Sequence, residues 1–257
     1  MPALAEVAAF LDALLGIDAF PDYPNAVNGV EIETPAEIRR VATAVDARER
    51  TIAGAAAAGA NLLLVHHGLF WGGVRAVRGP LYRRLRAALA ADVGVYAAHL
   101  PLDAHPRFGN NPMLARALGL DPTEGFATFE GVPIGVAGTA DVATAELVAR
   151  TSKFAAEFAT VVRHSAMAAG RRTRRWAICT GAGADADTLR ECAVRGIDTL
   201  IVGEGAHWTA IDAEELGVVV LYAGHYATEV LGVRALGEHV GAHFGIPCTF
   251  LDAPTGL

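Results

Sequence analysis

Apolar side chains recur along this chain in two alternating rhythms. Residues 3 to 15 place Leu4, Val7, Phe10, Leu11, Leu14 and Leu15 at helical spacing, and Gly16 closes the run, which predicts an amphipathic helix. Pro21, Pro24 and the Asn28-Gly29 pair predict a loop and a turn before a short strand at Val30-Glu31-Ile32. Short continuous apolar runs then alternate with helical ones. Val41 to Val45 and Asn61 to Val65 read as buried strands, joined by a helix from about Arg48 to Ala58 that Gly59 stops. Pro80 opens the next helix, with Leu81, Leu85, Ala88 and Leu89 on its core face, and Val93 to Ala97 is the next strand. Asn111 reads as an N-cap with Pro112 at the first helical position. Residues 126 to 138 read as a hairpin around Glu130-Gly131, followed by a helix from about Thr144 and a strand near 159 to 163. Trp176 to Cys179 restarts the strand-helix rhythm. Asp198 to Val202 and Val218 to Leu221 are further apolar strands, and a last helix follows His225.

The rhythm repeats. Tyr96-Ala97-Ala98-His99, three spacers and Asp103 is matched about 126 positions later by Tyr222-Ala223-Gly224-His225, three spacers and Glu229. Upstream, Arg39-Arg40-Val41-Ala42 matches Arg174-Arg175-Trp176-Ala177. Each match is followed by a helix, an apolar strand with polar residues at its end, another helix, and the strand that delivers the histidine. The expected fold is α/β, with two similar β-α-β-α-β lobes related by a pseudo-repeat and a dinuclear metal site in the cleft between them. The expected boundaries are 1–125 for the first lobe, 126–172 for a connecting segment and 173–257 for the second. Open α/β sheets bind ligands beyond the C-terminal ends of their strands, where both copies place a histidine and a carboxylate.

Composition narrows the functional classes. Of 257 residues, 53% are hydrophobic and 19% charged, which suits a packed globular chain and excludes disorder. The net charge of −7 argues against a nucleic-acid partner. The one basic cluster, Arg171-Arg172-Thr173-Arg174-Arg175, reads as a solvated turn and strand start. Three cysteines without metal-type pairing fit a reducing compartment, and with no leader-like or membrane-length apolar run the expected location is cytoplasmic.

The chemistry gathers at strand ends. Neighbouring strand residues point to opposite faces, so His66 and His67 reach one site only at a strand end or bend, which Gly68 permits. Pro101 between His99 and Asp103 argues for a loop that turns both side chains inward. His99 reads either as a ligand or as a group orienting one. His225 and Glu229, four apart at a helix start, share one helix face. Glu204 and His207 are candidates for proton transfer or substrate contact. His105, His164, His239 and His243 read as surface or packing residues. Gly181-Ala182-Gly183 lacks the third glycine of a dinucleotide loop. Mixed imidazole and carboxylate donors suit two divalent ions per chain, among zinc, manganese, iron, cobalt and nickel. Two such ions point to hydrolysis of a small anionic substrate.

The motifs His66-His67-Gly68-Leu69-Phe70-Trp71, Ala97-Ala98-His99 with Leu102-Asp103, Gly109-Asn110-Asn111, and Ala223-Gly224-His225-Tyr226-Ala227-Thr228-Glu229 together resemble the NIF-three-like family. Its members are also labelled GTP cyclohydrolase I type two. The resemblance spans nearly the whole chain, in its compact form without an inserted middle domain. It implies a two-lobed α/β fold and two metals held by His66, His67, Asp103, His225 and Glu229 with His99 nearby. It also implies a ring-shaped homohexamer and a nucleotide or related anion as substrate. A non-catalytic metal carrier or interaction scaffold is the competing function.

Overall fold

The computed structural model describes residues 1–73 and 75–257. In chain order the elements are α1 (Leu4–Leu15), β1 (Gly29–Ile32), β2 (Val41–Asp46), α2 (Glu49–Ala57), β3 (Leu62–His67), α3 (Gly79–Ala90), β4 (Gly94–Ala97) and α4 (Leu100–Asp103). They continue with α5 (Asn110–Ala117), β5 (Glu124–Phe129), β6 (Val132–Ala143), α6 (Thr144–Ala156), β7 (Arg163–His164), β8 (Arg172–Cys179) and α7 (Ala186–Arg195). The last are β9 (Thr199–Val202), α8 (His207–Glu215), β10 (Val219–Tyr222), α9 (His225–Phe244) and β11 (Cys248–Phe250).

The chain divides into two compact units. One is Met1–Phe108 with Gly232–Ala253, the other Gly109–Leu231 with Pro254–Leu257. The first holds a sheet ordered β1-β4-β3-β2-β11, the second a sheet ordered β5-β6-β8-β9-β10-β7. Within the first, β2, β3 and β4 pair in parallel, in register from Val41 to Leu62 to Gly94. Within the second, β8, β9 and β10 do the same, from Trp176 to Thr199 to Val219. Both triplets continue into a short antiparallel edge strand, β1 beside β4 and β7 beside β10. The α/β pseudo-repeat is therefore present in the pairing as well as in the residues. The triplet strands are buried on both faces: Leu62, Leu63 and Leu64, and Leu200, Ile201 and Val202, are at most 1% exposed. That burial is why they read as unbroken apolar runs.

The boundaries differ from 1–125, 126–172 and 173–257. Residues 126–172 are more than a connection, because β6 pairs along β8 from Val136 with Ile178 to Ala143 with Arg172. The hairpin of β5 and β6 turns at Glu130 (φ 46) and Gly131 (φ 87), the left-handed pair that a two-residue turn requires. At the other end of the chain, β11 pairs in parallel with β2, Cys248 with Val41, and covers an edge that β2 would otherwise expose. The strand expected near 159 to 163 is only the two-residue β7.

Two local expectations are also corrected. Pro101 does not prevent a helix: it sits in the first turn of the single-turn α4, where no intrahelical N–H is needed. Asn111 does not cap α5, whose N-cap is Gly109. Its side chain instead ties β6 to the turn after β8, donating from Nδ2 to the Ile134 carbonyl at 2.8 Å and accepting the Thr180 N–H at 2.8 Å. Asn111 is 1% exposed, so those backbone groups have little access to water. Asn111→Ala is expected to cost about 2 kcal/mol, the penalty of buried polar groups losing their partner. Urea unfolding checks this, and an unchanged midpoint would contradict it.

Candidate metal centre

In the first unit, parallel pairing brings three histidines to the C-terminal end of the sheet. β3 ends in His66-His67, and β4 runs through Ala98 to His99 at the start of α4. The ring centroids of His66 lie 4.7 Å from His67 and 4.9 Å from His99. Each histidine offers a ring nitrogen, and these lie within 4.8 Å of one another. One turn of α4 brings Asp103 to the same sheet end, with Oδ2 3.5 Å from Nε2 of His66. His66 is fully buried and Asp103 5% exposed.

The tautomers are set by what holds each Nδ1. Nδ1 of His66 lies 2.9 Å from the Ala98 carbonyl, which only accepts, so Nδ1 carries the hydrogen. Nδ1 of His67 faces Asp46 Oδ1 at 3.0 Å, and Nδ1 of His99 faces Asp22 Oδ1 at 2.8 Å. Burial pushes His99 below the usual imidazole range, against the opposing pull of Asp22, and keeps it neutral. Burial alone would raise Asp22, but the hydrogen bonds from His99, Asn28 and the Tyr23 N–H hold it below the ordinary carboxylate value. Asp22 Oδ2 also accepts the Leu100 N–H at 3.0 Å, and Asn28 Oδ1 accepts the His99 N–H at 2.8 Å. Each imidazole thus presents Nε2 as its lone-pair end. Metal-ligating histidines characteristically donate their other nitrogen to a carbonyl or carboxylate.

Glu31 supports the paired histidines from below. The β1–β4 register shifts between Val30 and Ile32, a bulge that turns Glu31 out of the ladder. Its two carboxylate oxygens accept the Leu69 N–H at 2.8 and 3.0 Å. Gly68 lies flat on this carboxylate, and a Cβ there would stand 2.2 Å from Glu31 Oε1. Burial raises Glu31 to about 7, against the lowering effect of the Leu69 and Phe70 N–H groups. The bend that Gly68 permits is therefore made by a specific carboxylate.

In the second unit, α9 begins at His225, which puts Glu229 one turn along, with Oε1 3.2 Å from His225 Nε2. Nδ1 of His225 lies 2.7 Å from Glu204 Oε1. The structure therefore places Glu204 as the group that orients His225. His207 opens α8 as an exposed residue. Burial lowers His225, but the charge and hydrogen bond of Glu229, followed by those of Glu204, outweigh it and raise the imidazole to about 9. Gly181, at φ +63, presses on this pair: a Cβ would lie 2.3 Å from Glu229 Oε1 and 3.3 Å from His225 Nε2. Its N–H donates to Thr228 Oγ1 at 3.1 Å. The glycine-rich turn after β8 thus gives close approach to a carboxylate.

The donors fit divalent ions. In the first unit a lone-pair nitrogen faces a carboxylate oxygen, an arrangement that a cation between them stabilises. In the second, a proton shared by His225 and Glu229 occupies the place a cation can take. The roles of Asp22, Asp46 and Glu31 escape sequence reading, because each acts on a histidine or its loop from a distant position; the Gly181 turn, read against a dinucleotide loop, instead gives way to Glu229. His239 and His243 pack against Phe10, at centroid distances of 5.6 and 4.1 Å, away from these donors.

Three comparisons bear on this geometry. The family model described as Duf34/NIF3 (NGG1p interacting factor 3) matches residues 2–255. A Deinococcus radiodurans protein described as a GTP cyclohydrolase 1 type 2 homolog is 45% identical, over 98% of this chain and 94% of its own. One from Pyrococcus abyssi with the same description is 41% identical, over 98% of each. Among solved structures, the protein ybgI, described as of unknown function, superposes with a TM-score of 0.89 at 31% identity, covering 99% of this chain and all of its own. A Thermus thermophilus protein gives 0.79 at 33% identity, covering 98% of this chain and 99% of its own.

Two outcomes follow. Gly181→Ala forces a Cβ against Glu229, so chelator competition should show metal affinity falling about 10- to 100-fold with every ligand still present; wild-type affinity would contradict the close approach. His225 is raised when folded, so in metal-free protein its protonation stabilises fully below the ordinary value of 6.5, and that contribution is lost as pH rises through about 9. Urea midpoints at about pH 6 and about pH 10 should therefore differ more for wild type than for His225→Gln. Equal differences would contradict the His225–Glu229 coupling.

Proposed function

The chain belongs to the Duf34/NIF3 family, and on that premise we propose that it is a metal-dependent hydrolase acting on a nucleotide or a related small anionic molecule. GTP cyclohydrolase-like ring opening, which the relatives' descriptions suggest, is the activity to test first. The observation that carries this reading is the uniform pinning of imidazoles: His66, His67, His99 and His225 each have Nδ1 held by an oxygen acceptor, with Nε2 directed to the site.

We assign His66, His67, His99 and Asp103 in the first unit, and His225 and Glu229 in the second, as the ligands of two divalent ions per chain. Bound divalent ions supply Lewis acidity, acidifying water and neutralising anionic charge that builds on the substrate. The protein's own part is preorganisation. Ala98, Asp46, Asp22 and Glu204 keep the imidazoles in one tautomer and orientation, so no reorientation is needed during reaction. Glu204, half exposed beside His225, is our first candidate to pass a proton between site and solvent. His207 remains the second candidate for proton transfer. We carry the homohexameric assembly and the cytoplasmic location into the proposal as well. The three described cysteines are free thiols, in keeping with a reducing compartment. No helix among the described residues is long and apolar enough to cross a membrane.

The test is elemental analysis of purified wild type, His66→Ala and Glu229→Gln, coupled to turnover of GTP and of phosphoesters. The proposal expects about two divalent ions per chain, lost in both variants, with turnover that depends on metal. Two ions without turnover would favour the carrier reading. Absence of metal after reconstitution would overturn the ligand assignment.

A further inference from the structure

Beside the imidazoles of the first unit stand two large aromatic rings that the metal assignment does not use. Trp71 meets His99 edge-on, with centroids 4.6 Å apart and planes at 82°, and meets His67 at 5.9 Å and 78°. Tyr23 lies 6.0 Å from His99 and 6.3 Å from Trp71, tilted by 56° to the latter, so the two rings do not stack on each other. Tyr23 is 50% exposed and Trp71 partly so. Leaving this much aromatic surface beside a polar site forgoes burial that a planar ligand would restore.

Both rings are held by the same elements that hold the histidines. Tyr23 follows Asp22, whose carboxylate fixes His99, and its carbonyl accepts the Ala26 N–H at 2.8 Å. Trp71 lies in a tight turn closed by the Gly73 N–H to the Phe70 carbonyl at 2.7 Å, with Gly73 at φ +67. Aromatic faces beside imidazoles read as metal ligands suit a ligand with a planar ring.

We propose that Tyr23 and Trp71 form a stacking wall that takes the planar heteroaromatic ring of an anionic substrate. This rests on the reading of His66, His67 and His99 as metal ligands and names the substrate class for that site. A purely protective role for Trp71, shielding His99 from water, makes a different prediction, because its loss would then weaken metal binding.

The test uses zinc-loaded full-length protein and calorimetric titration with two probes, guanosine 5′-monophosphate and ribose 5-phosphate. Trp71→Leu and Tyr23→Leu should each weaken the ring-bearing probe about 5- to 100-fold, the range that loss of one stacked base costs. They should leave ribose 5-phosphate binding and zinc content unchanged, and Trp71→Phe should retain most of the affinity. Equal losses for both probes, no loss for either, loss of zinc in Trp71→Leu, or wild-type protein that binds ribose 5-phosphate as tightly as the nucleotide would each overturn the stacking wall. Ring-dependent binding without metal-dependent turnover would support the wall and count against the hydrolase reading, so the two fail separately.

Discussion

Everything at the candidate centre depends on where the imidazole hydrogens sit. A neutral histidine has one donating and one accepting nitrogen, and only the accepting one can bind a cation. The Ala98 carbonyl decides the matter for His66, and the Asp46 and Asp22 carboxylates do the same for His67 and His99. Ionised Asp22 beside neutral His99 is the self-consistent pairing, since burial disfavours charge on the ring while four donors favour it on the carboxylate. His225 is the exception in charge, held by Glu204 and Glu229 together and raised by them to about 9. A cation placed there would compete with that proton.

The fold explains why such donors recur. Each unit is built on three parallel strands buried on both faces, and the backbone leaves each sheet at the C-terminal ends of those strands. In both units the third strand delivers a histidine at a helix start, and one helical turn on stands a carboxylate, which meets His66 in the first unit and the delivered His225 in the second. Glycines fill the places where backbone must approach a carboxylate, Gly68 against Glu31 and Gly181 against Glu229. The repeat is unequal in its outcome. The first unit adds His66 and His67 at the end of its middle strand, whereas the second places Glu204 just beyond its own.

Much of this is legible from residue order. Fully buried strands announce themselves as apolar runs, and the spacing of His225 with Glu229 reports one helical turn, whereas Pro101 disguised the turn between His99 and Asp103 as a loop. The orienting residues are not legible. Asp22 lies in a proline-bounded loop that reads as turn chemistry, Asp46 reads as a strand end, and Glu31 looks like an ordinary exposed position until the β1 bulge re-aims it. β11 is three residues long and gains its identity only by pairing with β2. Residues 126–172 looked like a connector because their sheet partner β8 lies beyond a helix and a loop. In each case the deciding contact is long-range, and no local pattern encodes it.

The most direct test of the pinned-imidazole account is a long-range nitrogen–proton correlation spectrum of the histidine side chains, recorded on metal-free protein and through a zinc titration. The account predicts Nδ1-protonated neutral rings for His66, His67 and His99. It also predicts a doubly protonated His225 at neutral pH, and Nε2 resonances of these four rings that shift together as zinc saturates. Nε2-protonated rings at His66, His67 or His99 in the metal-free protein, or Nε2 resonances indifferent to zinc, would contradict it.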